Sequence, residues 1–358
     1  MKIAVLGAAD SPHVVKWVNA LAEAGHEVFL YSMPNQKDEF HEITGSAEIV
    51  YLPFAEAAGG IKKNAGPLKG FLAEGGFKVT AAFDILTYGL MAVRAKTEHL
   101  LLVSTGLDVV NAVKSGQKST AAKVIAAAAA VCATAPNVIT RIKEIYKKEQ
   151  QYFVTPFGVN MDLFRPMHVE RPAAVTFGSL KSLEYYDHVD YVIEAFRKFR
   201  DQYTGDSLLR VVGSGQAMGE LKALTESLQL TESVEFLGYV RNSDMPGVIN
   251  TLDVAVQMPD DECLGISGIE AMACEVPVIS SDTDGASEYI LNGVTGYLVK
   301  TGNVDRCASK MAELAEDKDL RESMGFHARQ DVVEQYSLPE CVKKFETALQ
   351  AASGSRVN

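Results

Sequence analysis

Short apolar segments alternate with amphipathic segments of helical period along most of this chain. Ile3 to Leu6 has the pattern of a buried strand, Val14 to Ala24 that of a helix closed by Gly25, and His26 to Ser32 that of the next strand. Leu100 to Ser104 is a further strand of the same kind. Such alternation is typical of parallel α/β sheets, because each helix returns the chain to the start of the next strand. The sequence therefore predicts an α/β fold.

A second series begins after about residue 167, and a length of 358 residues also favours two domains. Its predicted strands and helices are Ala174–Phe177, Val189–Phe199 (helix), Leu208–Val212, Ala217–Leu228 (helix), Val234–Leu237, Val254–Gln257 and Val276–Ser280. We predict two doubly wound, Rossmann-like domains, residues 1–165 and 166–335, with the joint at Phe164 to Met167, where a proline interrupts the pattern. Ligands of open α/β sheets bind at the carboxyl ends of the strands, so the site is expected in a central cleft that the two domains face.

Composition narrows the class of protein. Nucleic acid is disfavoured as the main partner by a formal net charge of −12. The five cysteines are scattered without a CxxC pair, which predicts neither a disulfide framework nor a zinc site. No apolar run approaches the ~20 residues of a membrane span, and Lys2 to Gly7 lacks the features of a signal peptide, so a cytoplasmic location is expected. The alanine run Ala126 to Ala130 is predicted to be helical, because alanine has the highest helix propensity.

Two glutamates, Glu262 and Glu270, flank seven residues that include Gly265 and Gly268, and a helix-forming run follows. We interpret Glu270 as the start of that helix. One carboxylate suits a ribose diol and the other a sugar hydroxyl, while a helix N-terminus left open by small residues suits phosphates. The alternatives are a glutamate that merely satisfies the helix dipole and a solvated acidic turn that follows Asp260 and Asp261.

Residues 155 to 300 carry several motifs in an order that resembles one known family, the retaining glycosyltransferases of family four, which have the GT-B fold. The matching segments are Thr155 to Asn160 with Phe164-Arg165-Pro166, Gly178 to Lys181, Val211 to Gly215, Phe236 to Val240, Glu262 to Cys274, and Val278 to Gly296. The resemblance implies two Rossmann-like domains, with residues 336–358 forming a terminal helix that crosses back to the first. It also implies transfer of a hexose-type sugar from a nucleotide-diphosphate sugar, more specifically a UDP-sugar.

The resemblance also implies a role for individual residues. Glu270 would bind the ribose, Glu262 a hydroxyl of the transferred sugar, and Lys181 the diphosphate, the last two being the catalytic candidates. The remaining donor-binding candidates are Gly178, Gly213, Gly215, Val240, Arg241 and the backbone of Leu264, Gly265 and Ile266. A loop lysine in water and a surface arginine are the alternatives for Lys181 and Arg241, and a lone Gly-x-Gly turn carries little information.

The first domain departs from the pattern of the family. Ser104 to Asp108 contains no histidine where relatives carry one, Ser179 stands where arginine is usual, and Asp187-His188 stands roughly where Lys-Gly is usual. Gly7, His13 and Asp108 are the candidates on the acceptor or phosphate side, with a plain helix-start histidine as the alternative for His13.

Several expectations about partners follow from the resemblance. The acceptor would be a saccharide or lipid-linked molecule in cell-surface polysaccharide or glycolipid synthesis, with peripheral membrane contact at Lys62, Lys63 and Lys69 or, alternatively, a solvated loop there. No cofactor and no metal are expected, since the DxD-like Asp282-Thr283-Asp284 falls in a family turn. Two other functions stay open, namely a UDP-sugar epimerase of the same fold and a nucleotide-sugar-binding protein with impaired catalysis.

Overall fold

The computed structural model describes residues 1–37 and 43–354. The chain divides into two units, Met1–Gly158 with Leu338–Asn358, and Val159–Ser337. The first unit therefore ends before the Phe164–Met167 segment predicted as the joint. Val159 and Phe164 lie instead in an apolar cluster of the second unit, together with Ile269 and Tyr336.

The first unit is built around a parallel sheet in which seven strands are described, in the order β3-β2-β1-β4-β5-β6-β7. Its elements are β1 Lys2–Leu6, α1 Pro12–Glu23, β2 Glu27–Ser32, β3 Glu48–Tyr51, α2 Gly60–Lys63, α3 Ala65–Gly75, β4 Val79–Phe83, α4 Leu90–Arg94, β5 Leu100–Ser104, α5 Leu107–Lys114, α6 Lys118–Ala127, β6 Ala130–Ala133, α7 Pro136–Ile145 and β7 Tyr152–Val154. A π-helical turn, Asp84–Gly89, follows β4, and short 3₁₀ turns lie at Pro34–Gln36 and Glu56–Ala58.

The second unit repeats this plan with the described strands in the order β10-β9-β8-β11-β12-β13. Its elements are β8 Val175–Leu180, α8 Val189–Arg200, β9 Ser207–Val212, α9 Met218–Ser227, β10 Val234–Gly238, α10 Met245–Ile249, β11 Val254–Gln257, α11 Ile266–Ala273, β12 Val278–Ser281, β13 Gly296–Val299, α12 Val304–Glu316 and α13 Lys318–Tyr336, with 3₁₀ turns at Tyr185–Asp187 and Ala286–Glu288. Helix α14, Leu338–Ala352, then packs on β4, β5, β6 and β7 of the first unit.

Both sheets have the order of the doubly wound fold, in which the chain starts in the middle and winds first to one edge and then to the other. The strand order reverses between β1 and β4 in the first unit and between β8 and β11 in the second. At such a point the two following loops turn to opposite faces of the sheet and leave a crevice at the carboxyl edge. These two crevices are where the fold favours ligands.

The alanine-rich segment contradicts its prediction. Helix α6 ends at Ala127, Ala128 is extended, and Ala130 begins strand β6 rather than continuing the helix. All four residues of β6 are fully buried, and the strand is paired on both sides, with β5 and β7. Helix propensity is a weak preference that burial in a strand paired on both sides readily overrides.

Candidate functional site

The carboxyl edge of the second sheet collects most of the predicted donor-binding residues. They follow four different strands, and because the strands are parallel these ends share one edge. The positions are Lys181 after β8, Gly213 and Gly215 after β9, Val240 and Arg241 after β10, and Glu262 after β11. Glu270 and the segment Leu264 to Ile266 enter the same edge through the start of α11.

An ion pair lies at the reversal point of this sheet. Lys181, directly after β8, donates a hydrogen bond through Nζ to Glu262 Oε1, in the loop after β11. Asp187 Oδ1 lies 3.7 Å from the same Nζ, and Ser182 Oγ donates to Asp187 Oδ2. The side chains of Lys181, Glu262 and Asp187 are 13%, 6% and 7% exposed, so this group of three charges is largely withdrawn from water.

Burial and charge act in opposite directions on this group. Burial lowers the pKa of Lys181, but the carboxylates of Glu262 and Asp187 outweigh it, and the net pKa lies above the ordinary lysine value. Burial raises the pKa of Asp187 above the ordinary aspartate value, although the Lys181 charge and the Ser182 hydroxyl oppose the rise. The ammonium is therefore charged at neutral pH and is shared by two carboxylates.

One oxygen of Glu262 is left over. Its Oε2 atom is buried and has no hydrogen-bond partner among the residues that the structure describes. It lies against the α-carbon of Gly265, where a Cβ would overlap it and the hydroxyl of Tyr289. A buried carboxylate oxygen without a donor is costly, so the site is suited to a ligand that brings a hydroxyl or another donor.

A buried hydrogen-bond network stabilises the loop that carries Glu262. Gln257 Nε2 donates to Tyr289 Oη at 2.6 Å, and Ser267 Oγ donates to Gln257 Oε1 at 3.2 Å. Burial and the nearby Glu262 carboxylate raise the pKa of Tyr289 well above its ordinary value, so the phenol stays protonated. A side chain at Gly268 would overlap the Tyr289 hydroxyl, which explains a glycine inside α11.

Glu270 lies within α11 and does not start it. The helix begins at Ile266 after Gly265, so Glu270 is its fifth residue, and the prediction of a helix-start glutamate is wrong. The reason is that the backbone turns helical as soon as the loop passes Gly265, whose carbonyl accepts from Ile269 N at 3.1 Å. The Glu270 side chain is buried, and Asn242 Nδ2 donates to its Oε1 at 3.1 Å.

The other donor-side residues surround this carboxylate in different ways. Val240, Leu264 and Ile266 pack against the apolar cluster that contains Ile269. Arg241 is mostly exposed, and its Nε lies 2.9 Å from Asp244 Oδ2. The structure thus brings Val240, Leu264 and Ile266 together beside Asn242 and Glu270, while the Arg241 guanidinium pairs outward with its own loop.

The predicted glycines have clear packing roles. Gly213 has φ +131, and a Cβ there would overlap the carbonyl oxygen of Lys181. A Cβ at Gly215 would overlap the backbone of Leu183, whose N donates to Ser214 O at 3.0 Å. Gly178 lies inside β8 and faces the Leu252 side chain, which leaves no room for a Cβ. Gly213 and Gly215 therefore let the loop after β9 pack closely against the loop that carries Lys181.

His188 forms a second link between the two loops at the reversal point, and the sequence did not single it out for this role. It adopts the left-handed conformation, with φ 46, where the family resemblance expects glycine. Its Nε2 lies 2.8 Å from Asp260 Oδ2 and its Nδ1 3.3 Å from Asp190 Oδ1, and its ring stacks on Tyr191 with centroids 4.3 Å apart. The Asp187-His188 departure from the Lys-Gly pattern was the available signal for both Asp187 and His188, whereas nothing in the sequence pointed to Asn242 or Tyr289.

The first unit places its three candidates at or near the carboxyl edge of its own sheet. Gly7 follows β1, and a Cβ there would press on the Val14 side chain, so this glycine lets the loop turn closely over α1. The His13 ring stacks on Phe157, with centroids 4.0 Å apart and an interplanar angle of 11°. Stacking within the unit accounts for the position of His13.

The Asp108 carboxylate connects the loops after β4 and β5 through hydrogen bonds. It accepts hydrogen bonds from Ser104 Oγ at 2.7 Å, Gly106 N at 3.0 Å and Ile85 N at 3.0 Å. Burial, followed by the charge of Asp84, raises its pKa to about 6. Asp84 itself has φ 69 and accepts from Leu86 N and Thr87 N, both at 2.9 Å. Two carboxylates thus meet at the carboxyl ends of β4 and β5, and the buried one fixes the local backbone.

Two doubly wound units, the second with a cation–carboxylate pair at its reversal point, define a fold of the GT-B class. Residues 162–331 match the family model of glycosyl transferases group 1. The resemblance recognised in the sequence is thereby confirmed.

Curated relatives agree with this assignment. Residue identity is 31% over 159 residues with N-acetyl-alpha-D-glucosaminyl L-malate synthase of Bacillus anthracis, an alignment that covers 44% of this chain and 41% of that protein. Identity is 30% over 221 residues with the GDP-mannose-dependent alpha-(1-6)-phosphatidylinositol monomannoside mannosyltransferase of Mycobacterium tuberculosis, with 56% of each chain covered. The chain thus spans about half the length of the curated relatives that it matches.

Solved structures share the fold over nearly the whole chain. Sucrose-phosphate synthase from Thermosynechococcus elongatus superposes with a TM-score of 0.82 at 17% identity, covering 97% of this chain and 98% of that one. HepE of Anabaena, in complex with UDP and glucose, superposes with a TM-score of 0.77 at 16% identity, covering 98% and 99%. The predicted fold class, two Rossmann-like α/β domains of the GT-B type, is confirmed.

Membrane-spanning helices and grouped metal ligands are both absent from the described residues. None of the helices in residues 1–37 and 43–354 is both long and apolar enough to cross a membrane. Over the same residues, no three His, Cys, Asp or Glu side chains are grouped so that they could hold a metal ion. The absence of a metal requirement stays a prediction.

Proposed function

We propose that this chain is a retaining glycosyltransferase that binds a nucleotide-diphosphate sugar at the carboxyl edge of its second sheet. The observation that carries the proposal is the Lys181–Glu262 pair at the reversal point of that sheet, with Glu262 Oε2 buried and unpartnered among the described residues. A cation beside an unsatisfied acceptor matches the diphosphate and the adjacent sugar hydroxyl of such a donor.

The donor is held at three places. Lys181 contacts the diphosphate, and Glu262 Oε2 accepts a hydroxyl of the transferred sugar. Glu270, oriented by Asn242, accepts both hydroxyls of the ribose, which is a strong charge-assisted arrangement. The backbone of Gly265 approaches the ligand closely, since it has no side chain, and the N–H groups at the start of α11 face the same edge.

The chemistry is a substitution at the anomeric carbon. The bond from this carbon to the diphosphate oxygen breaks, a bond to an acceptor hydroxyl oxygen forms, and the acceptor proton goes to the departing diphosphate. The family resemblance implies that attack and departure occur on the same face, which retains the configuration. Negative charge grows on the diphosphate as the bond breaks, so Lys181 stabilises the transition state more than the bound donor. Positioning and charge supply the catalysis in this proposal, with no side-chain nucleophile.

A hexose-type UDP-sugar is the proposed donor. HepE of Anabaena was solved in complex with UDP and glucose, and this protein shares that fold over 98% of the chain. The mannosyltransferase relative is named as GDP-mannose-dependent, so GDP-mannose is the competing donor to test. A thermal-shift screen of UDP-, GDP- and ADP-sugars separates them, because a ligand that binds only the folded protein raises the melting temperature.

The acceptor is proposed to be a saccharide or a lipid-linked molecule of cell-surface polysaccharide or glycolipid synthesis. Lys62, Lys63 and Lys69 are exposed on α2 and α3 of the first unit, which supports peripheral contact with an anionic membrane on the cytoplasmic side. Cosedimentation with vesicles rich in anionic lipid tests this contact. Binding should fall when the three lysines are replaced by glutamine, and equal binding by both proteins would contradict it.

Product analysis distinguishes this function from its rivals. The protein is incubated with the stabilising nucleotide-sugar, with and without a panel of saccharide and polyprenyl-phosphate acceptors, in the presence of EDTA. A glycosyltransferase releases nucleoside diphosphate and extends an acceptor, and the chelator leaves the rate unchanged. Conversion of the free nucleotide-sugar into its epimer would indicate an epimerase. Tight binding with neither transfer nor donor hydrolysis would indicate a binding protein.

A further inference from the structure

The net charge around Lys181 is unfavourable for binding a diphosphate. One buried ammonium faces two buried carboxylates, so the group formed by Lys181, Glu262 and Asp187 has a net charge of −1. A nucleoside diphosphate that carries a sugar brings two further negative charges to the same place. If Lys181 is to serve the diphosphate, one of its present carboxylate partners has to become neutral or move away.

We infer that Asp187 is a positioning residue for Lys181. Asp187 shares the Lys181 ammonium with Glu262, and it takes up a proton from the solvent when the donor diphosphate arrives. This inference rests on the proposed function and deepens it. It assigns a role to a carboxylate at a position where the family resemblance places a cation, and it makes donor binding depend on pH.

The contacts select Asp187 over Glu262 as the proton acceptor. Glu262 Oε1 accepts a direct hydrogen bond from Lys181, and its Oε2 is reserved for the sugar hydroxyl. Asp187 is the more distant partner, at 3.7 Å, and the Ser182 hydroxyl that donates to its Oδ2 can turn to accept from a protonated carboxyl instead. Burial already raises the pKa of Asp187, so a proton binds there more readily than on an exposed aspartate.

Among the described residues that act most strongly on Asp187, Lys181 is the one cation. Lys181, Ser182 and Glu262 face it from the two loops at the reversal point. Within its own turn, Tyr186 adds a neutral phenol whose pKa is raised by burial and by Asp187. The neighbouring His188 is engaged by Asp260 and Asp190, at 2.8 and 3.3 Å. The negative charge of a diphosphate therefore acts on Asp187 with Lys181 as the shared counter-ion.

The test is calorimetric titration of the full chain with UDP-glucose and GDP-mannose in buffers of different ionisation enthalpy at one pH. A nucleotide-sugar is the right probe because its diphosphate is a diester without a titrating group near neutral pH. Proton uptake makes the observed enthalpy vary linearly with the buffer enthalpy, with a slope of up to one proton per donor bound. Donor affinity should weaken by up to about tenfold per pH unit over the range where uptake is complete.

Asp187→Asn is the decisive variant, since it keeps the shape and removes the titration. It should bind the donor with no buffer dependence and with a flat pH profile. Asp201→Asn is the matched control, because Asp201 pairs with Arg197 on the exposed end of α8 and should leave the proton count of the parent protein unchanged.

The outcomes separate this inference from the proposed function. Absence of binding by any nucleotide-sugar would remove the proposed function itself. Binding by the parent protein without proton uptake would overturn the inference while leaving that function intact, and this result does not depend on how well the variant folds. Uptake that persists in Asp187→Asn and disappears in Glu262→Gln would reassign the proton to Glu262 and also overturn it.

Discussion

The carbonyl oxygen of Lys181 occupies the space that a side chain at Gly213 would need, and Gly213 has φ +131. The loop after β9 therefore fixes the backbone that presents the Lys181 ammonium. We expect Gly213→Ala to destabilise the second unit by at least about 2 kcal/mol, because it combines a left-handed conformation with overlap of backbone atoms. Denaturant unfolding measures the loss.

Gly219→Ala is the matched control for this change. Gly219 is exposed in α9, and a Cβ there meets no atom within 4 Å, so the substitution should stabilise the helix by about 0.5–1 kcal/mol. Equal effects of the two substitutions would contradict the steric role of Gly213.

Removing the Lys181 charge should destabilise the protein in a pH-dependent way. Lys181→Met leaves Glu262 and Asp187 buried without their cation, a situation that typically costs about 3–5 kcal/mol. The cost should be largest at about pH 8 and smaller at about pH 5, because the pKa of Asp187 is raised in the folded state, so that falling pH neutralises Asp187 more readily there than in the unfolded chain. Melting temperatures across this range test it, and a pH-independent loss would argue against a charged group of three.

Replacing Glu270 should weaken nucleotide binding more than protein stability. Glu270→Ala removes the proposed acceptor for both ribose hydroxyls, and we expect UDP to bind roughly 100-fold more weakly, a loss of about 3 kcal/mol. Asn242→Ala should have a smaller effect in the same direction, since Asn242 only orients the carboxylate. Calorimetry with Glu226→Ala, an exposed glutamate of α9, provides the baseline. Unchanged affinity in Glu270→Ala would exclude the ribose role.

The stability of the first unit should fall between about pH 4 and pH 7 through Asp108. The pKa of Asp108 is raised to about 6 in the folded state, so the folded protein holds a proton that the unfolded chain loses near pH 4. The free energy of unfolding therefore decreases as the pH rises, by about 3 kcal/mol in total for this group. The variant Asp108→Asn should gain stability relative to the parent protein as the pH rises. The difference between their unfolding midpoints should grow up to about pH 6 and then level off. A constant difference would contradict the raised pKa.

The strands were predictable from the sequence because burial within a parallel sheet produces continuous apolar runs. Leu100–Ser104 and Val254–Gln257 have the predicted bounds, and the predicted strand at Val276 starts at Val278 instead. The error at Ala126 to Ala130 arose because alanine also fits a buried strand that is paired on both sides. The local pattern could not distinguish these two environments.

The candidate site was predictable only in part. The glutamate spacing and the Gly-x-Gly turn lie within short segments, so their motifs show in the sequence. The Lys181–Glu262 pair joins residues 81 positions apart, and Asn242 reaches Glu270 across 28 positions. Such pairs depend on which loops the strand order brings to the reversal point. The departure from the Lys-Gly pattern therefore marked Asp187 as unusual but did not identify it as the second partner of Lys181.

Helix α14 closes the core of the first unit, where Phe345 stacks on Trp17 with ring centroids 4.4 Å apart. The second unit, Val159–Ser337, is continuous in sequence and lies between the two parts of the first. During translation, the ribosome therefore releases the whole second unit before the segment that covers Trp17. Until α14 is released, the first unit keeps an exposed apolar surface, while the second unit is already able to fold. A chaperone that binds nascent chains should accordingly contact residues 1–158 for longer than it contacts the second unit.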